Sequence, residues 1–169
     1  MIINTRRFGT LSIDDDKLIE FPFGIPGFPE LKDWCVLHTE ENRNVHWLQA
    51  IQDPDTALLI ADPDILFPDY NAEVEERDLA PIGVKITPQT ENPPPIVLHV
   101  VLSVDRAMGK VAANLRAPIL INVESRQGIQ IALKRGDYSV RQPLPRLKRP
   151  LSTPPEDSPM ERVSVAASS

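Results

Sequence analysis

Residues 96–104 read IVLHVVLSV, with aliphatic and β-branched side chains at both alternating positions. A run that is apolar on both faces reads as a strand covered from two sides, and this one is expected to be the most buried of the chain. The same punctuation repeats outward from it. Apolar runs of four to eight residues are bounded by Gly, Pro, Asn and Asp. They predict strands at Ile2–Arg7, Thr10–Ile13, Lys17–Phe21, Cys35–Thr39, Val45–Ile51 and Thr56–Ala61, and further on at Gly83–Thr87, Lys110–Leu115, Ile119–Glu124 and Gly128–Lys134. In the last of these, Ile129, Ile131 and Leu133 alternate with Gln130, Ala132 and Lys134, as on a half-buried strand. Helix is scarce. Pro29–Asp33 has room for one turn, and EVEERDL at Glu73–Leu79 reads either as a helix that Pro81 ends or equally as an edge strand with its charges outward. Many short strands without a long amphipathic helix predict an all-β domain. The expected architecture is an antiparallel barrel or sandwich with at most one or two short helical turns.

The chain has 169 residues, with 24 Asp and Glu against 18 Lys and Arg. Its length suits one domain with a sizeable core. The acidic balance argues against direct nucleic-acid binding and suits a basic partner. A single cysteine, Cys35, rules out an intrachain disulfide and points to a reducing compartment. The N-terminus lacks a signal-peptide core, and no apolar run approaches membrane-spanning length, so the expected address is the cytoplasm. From Arg146 the sequence RLKRPLSTPPEDSPMERVSVAASS is rich in Pro and Ser and poor in large apolar residues. It reads as a disordered tail, 146–169, behind a domain at 1–145. Without it, residues 1–145 carry 14 Lys and Arg against 21 Asp and Glu, a net charge of −7.

Catalytic signals are absent: there is no nucleophile elbow, no phosphate-cradling glycine loop and no C-x-x-C. His38, His46 and His99 sit inside predicted strands and read as satisfied strand histidines. Cys35 with His38 and His46 has no zinc-like spacing, so neither metal nor cofactor is expected.

Two stretches stand out instead. FPFGIPGFPEL, residues 21–31, sets three phenylalanines among prolines and glycines that specify a shaped loop. Pro26–Gly27 signals a type II turn. Phe21 and Phe23 are expected to plug the barrel, and Phe28 to be the ring that meets a partner. The run from Asp53 to Asp78 holds nine carboxylates and one arginine, together with Phe67, Pro68 and Tyr70. Aromatics beside carboxylates have the composition of a docking surface for a cationic partner; the plain alternative is a solvated acidic face. In ANLRAPILIN, Ala113–Asn122, the asparagines are expected to bond backbone and shape a tight connection, with Pro118 opening a strand.

GIPGFPEL, the Leu48–Gln49 pair, ADPDILFPDY, NLRAPILIN and GIQIAL occur in that order across residues 1 to about 142, and together resemble the FliW family of flagellar assembly factors. The resemblance implies a compact antiparallel β-barrel without catalytic activity, a monomer when free, that binds two proteins: the basic translational repressor CsrA and flagellin. In such a partner switch, flagellin captures the factor and CsrA then represses flagellin translation; export of flagellin returns the factor to CsrA. On this reading the CsrA surface is placed at Asp62, Asp64, Asp69, Tyr70, Glu73 and Glu75, and the flagellin surface at Ile25, Pro26, Gly27 and Phe28. The long TENPPP linker and the Pro/Ser tail depart from the family pattern. Two rival readings are a small-ligand or flavin-binding barrel and a structural subunit that self-associates through sheet edges.

Overall fold

The computed structural model describes residues 1–92, 95–145 and the backbone of 163–165. A short hairpin, β1 (Ile2–Thr5) and β2 (Gly9–Ser12), forms a sheet of its own. The main sheet contains β3 (Ile19–Glu20), β4 (Asp33–Thr39), β5 (Asn42–Ala50), β6 (Ala57–Ala61), β7 (Ile96–Asp105), β8 (Lys110–Asn122), β9 (Gln127–Gln130), β10 (Gln142–Pro143) and β11 (Val163–Val165). From β3 to β8, sequential strands pair antiparallel. β8 also pairs with β9, and β9 meets β3 in parallel at Gln127 and Glu20. The ladder therefore closes on itself, as the all-β reading requires. The only helical pieces among the described residues are single turns, including α1 (Pro63–Leu66) and α2 (Glu76–Leu79).

Both faces of the curled sheet are covered. On one, Cys35, Leu37, Val45, Trp47, Leu59 and Val100 pack beneath the β1–β2 hairpin, which contributes Ile3 and Leu11, with Phe8 and Ile13 beside it. On the other, Trp34, Val36, Leu48, Ile60, Ile119 and Ile121 pack with Phe21, Ile25 and Leu31. A third cluster seats Ile82 and Val84 against Leu120. Two-sided burial explains why so many strands read as continuous apolar runs instead of clean alternations.

Several expectations change. The most buried strand is β5, where Val45–Ala50 are all buried, and not 96–104: Ser103–Asp105 of β7 are exposed in a hairpin that runs past the sheet. Lys110–Leu115 and Ile119–Glu124 merge into one strand, β8, bulged opposite Val100. Asn114 organises the bulge, its Oδ1 accepting from Arg116 and Ala117 N–H at 3.2 and 3.1 Å. Gly83–Thr87 is not a strand. Ile82 and Val84 plug the third cluster, and the Ile82 carbonyl accepts from Asn122 Nδ2 and Ser125 Oγ, each at 2.8 Å, in place of a ladder partner. Pro29–Asp33 forms no helix; Leu31 N–H closes a turn on Phe28 C=O at 3.2 Å. The 146–169 tail lies outside the described residues except for Val163–Val165. Those three form a strand on β4, a pairing that the tail's composition does not predict.

Candidate functional site

The 21–31 loop is a succession of tight turns. Gly24 N–H donates to Phe21 C=O at 2.8 Å and Phe28 N–H to Ile25 C=O at 2.7 Å. Gly27 has φ +95°, so Pro26–Gly27 makes the type II turn that the dipeptide specifies. The root of the loop is Trp34 at the start of β4. Its indole N–H donates to Leu31 C=O at 3.1 Å, and Phe21 and Phe28 meet its ring edge-on at centroid distances of 6.2 and 6.3 Å. Phe21 fills the barrel so closely that a Cβ on Gly128 of β9 would lie 2.5 Å from its ring, so only glycine fits there.

The roles of the rings are therefore partly exchanged. Phe21 plugs, as expected. Phe23 does not: it is 64% exposed at the tip of the loop. Phe28 is half-buried against Trp34. Of the flagellin candidates, Ile25 is a core residue, Pro26 and Gly27 are exposed, and Phe28 offers only part of its ring. Alternation cannot identify the exposed ring, because a loop with three turns has no fixed period.

The acidic run is an ordered scaffold with charges on its outside. Asp53 binds its own turn, accepting from Asp55 N–H at 3.0 Å and Thr56 Oγ1 at 2.6 Å, which holds its carboxyl below the usual range. Buried Gln49 of β5 ties this turn down, donating to the carbonyls of Ala50, Asp53 and Thr56. Asp62 caps α1 by accepting from Asp64 N–H at 2.9 Å, and Pro63 opens that helix, as a proline can. Tyr70 is not an exposed anchor. Its hydroxyl donates to Leu115 C=O at 2.7 Å, its ring packs on Tyr138 at 4.8 Å, and burial, with Tyr138 next, pushes its pKa up to about 12. Tyr138, which the motifs do not single out, is bonded to Asn71 N–H and C=O and locks the segment at its midpoint.

Past that lock, Glu73, Glu75 and Asp78 line a cleft of about 240 Å3 with Val74, Ile131 and Leu133, and Lys134 and Arg135 complete it. Arg135 and Glu73 approach to 3.9 Å, both exposed, an ion pair of little energetic weight. Glu75 is paired with Arg77. Of the CsrA candidates, then, Asp64, Asp69, Glu73 and Glu75 are exposed; Asp62 and Tyr70 are partly buried and serve the scaffold.

The histidines hold a second departure. His38, His46 and His99 come from β4, β5 and β7, yet their rings meet: His38 and His46 at 4.1 Å between centroids, His46 and His99 at 5.8 Å. Among the described residues, Nδ1 of both His46 and His99 is buried without a hydrogen-bond partner, so these rings are not fully satisfied as strand histidines are expected to be. Burial, reinforced by His38 and His99, lowers the pKa of His46 to about 4. Burial also lowers that of His99 against the opposing pull of Asp62 and the Ala61 carbonyl, and that of His38. Cys35 faces the opposite side of the sheet and its thiol is pushed up to about 12 by burial, so it does not join them. Among the described residues no group of three His, Cys, Asp or Glu has the arrangement of a metal site, and no helix is long and apolar enough to cross a membrane.

Residues 2–144 match the family model described as FliW protein. The chain is 33% identical over 145 residues to the flagellar assembly factor FliW of Caldanaerobacter subterraneus subsp. tengcongensis, covering 85% of this chain and 93% of that one. It is 35% identical over 147 residues to the flagellar assembly factor FliW of Lachnospira eligens, covering 85% and 94%. A crystal structure of the flagellar assembly factor FliW superposes with a TM-score of 0.74 at 29% identity, covering 85% of this chain and 96% of that one.

Proposed function

Because the chain belongs to the FliW family of flagellar assembly factors, we propose that it works without catalysis, as a cytoplasmic partner switch between CsrA and flagellin. The observation that carries this reading is charge held on a rigid support. A body with a net charge of −7 presents Asp64, Asp69, Glu73 and Glu75 outward from a segment pinned by Tyr70 and Tyr138. Pre-positioned carboxylates lose little side-chain freedom on binding a basic surface, and they repel RNA from that surface once bound. Flagellin is assigned to the loop tip, through Pro26 and Gly27 with Phe23 beside them. The two surfaces stand on different hydrophobic clusters, which favours separate sites coupled through the fold over one shared site. The flavin reading gains nothing from the cleft at Glu73–Arg135, whose about 240 Å3 falls below the ~300 Å3 of a small-molecule pocket.

The test is titration calorimetry against CsrA from the same genome, alone and with flagellin present. Reversing Asp64, Asp69, Glu73 and Glu75 to lysine is expected to weaken CsrA binding by about tenfold or more. Unchanged affinity in that variant removes the acidic segment from the interface. Absence of binding to either folded partner ends the switch reading.

A further inference from the structure

β4 has one edge paired with β5 and another that β3 reaches only at Asp33 and Trp34. Backbone alternation identifies the groups left beyond β3. Phe21 N–H donates to Lys32 C=O on the β3 side, and Ile51 N–H donates to Asp33 C=O on the β5 side. Successive strand residues aim their polar groups at opposite edges, so Val36 and His38 aim theirs past the end of β3. There the chain supplies its own partner. Val163–Val165 run antiparallel to Leu37–Thr39, with Ser164 opposite His38. The same alternation makes His38 and Ser164 the hydrogen-bonded pair. Val-Ser-Val has the β-branched residues a strand favours. The segment also lies outside the part of the chain shared with the family, which ends at residue 144.

We infer that the β4 edge at Val36–Thr39 is a strand-addition site for an extended peptide, and that this chain keeps it closed with its own residues 163–165. An edge with unpaired N–H and C=O groups is a template for any strand that reaches it. Three residues with one hydrogen-bonded pair make a weak closure by themselves. Tethering gives them an effective concentration in the mM range, enough to exclude weak competitors and yield to a longer or better-matched strand. The partner that fits is therefore an extended segment pairing antiparallel with Leu37–Thr39 over more residues than the tail provides. This site involves neither the acidic segment nor the loop tip, and it stands or falls independently of the partner switch.

The test uses the full chain. Ser164→Pro removes the N–H that bonds His38 C=O, in a segment outside the barrel. Amide exchange followed by NMR is expected to be slow at His38 in the parent and at least about tenfold faster in the variant, while the Leu37 amide, which faces β5, is unchanged. The Val163→Gly/Val165→Gly double variant is expected to do the same without proline. A synthetic peptide of residues 160–169 should then bind the Ser164→Pro protein, restore protection at His38, and bind the parent about tenfold more weakly or worse. Equal exchange at His38 in parent and variants overturns the pairing. Protection that grows with protein concentration overturns closure within one chain and assigns the strand to a second copy. An opened edge that ignores the peptide at millimolar concentration overturns the addition site.

Discussion

The apolar loop at residues 21–31 and the acidic segment at residues 62–78 are compositional opposites, yet both are built in the same way. Each sends aromatic residues inward as roots and leaves a few other residues outside. In the loop, Phe21 and half of Phe28 clamp Trp34 while Phe23 stays in solvent. In the acidic segment, Tyr70 and Tyr138 form the root while Asp64, Asp69, Glu73 and Glu75 stay outside. The difference lies in the fastening. The loop is held by apolar burial around an indole, the acidic segment by hydrogen bonds from phenols to backbone. The two should therefore fail differently, and each can be broken without the other.

The largest effect is expected at the loop root. Trp34→Ala removes a fully buried indole and both edge-on contacts, and should lower stability by about 3–5 kcal/mol in urea unfolding. A loss below about 1 kcal/mol would show that the loop is not rooted there. Acidification comes next. A neutral histidine whose folded pKa lies below its unfolded value of about 6.5 contributes stability that is complete above that pH. The unfolded chain binds more protons in between, so the contribution falls as pH drops through 6.5 and levels off below about 4, the value for His46. The loss over this window should be about 3 kcal/mol. His46→Gln should flatten that part of the pH–stability curve. An unchanged slope would remove His46 as its cause.

A smaller effect is expected at the root of the acidic segment. Tyr70→Phe leaves the Leu115 carbonyl short of a donor, for about 1 kcal/mol of stability, with CsrA affinity unchanged. Retained stability with lost CsrA binding would return Tyr70 to the contact surface. The smallest effect is expected at the loop tip. Phe23→Ala should change stability by less than about 0.5 kcal/mol, because the ring is already in solvent, while weakening flagellin binding. A large stability loss would make Phe23 a second plug and dissolve the contrast between root and tip.

What the sequence by itself determined is what local chemistry controls. Proline and glycine at positions 26 and 27 specify their turn whatever surrounds them, whereas Pro81 does not end the helical stretch but sits in the 3-10 turn Ala80–Ile82 that continues it. Apolar runs between turn residues mark most strands, because the run and its bounding Gly, Pro, Asn and Asp lie in one stretch of chain. The asparagine in NLRAP caps its own backbone within three residues. The five motifs in order carry the family. What only the tertiary structure decided depends on residues far apart in the chain. Phe21 is buried against Gly128, more than a hundred residues away, while Phe23 stays exposed. Gly83–Thr87 is strand-like in composition, yet Asn122 and Ser125 take the carbonyl of Ile82 just before it, and the third cluster takes Val84. Three histidines on three strands meet only because strand register aligns them. Val163–Val165 lie in a Pro/Ser-rich tail, and only the short reach of β3 leaves an edge for them to join. Burial and pairing are shared properties of two distant segments, and no local pattern in either one contains them.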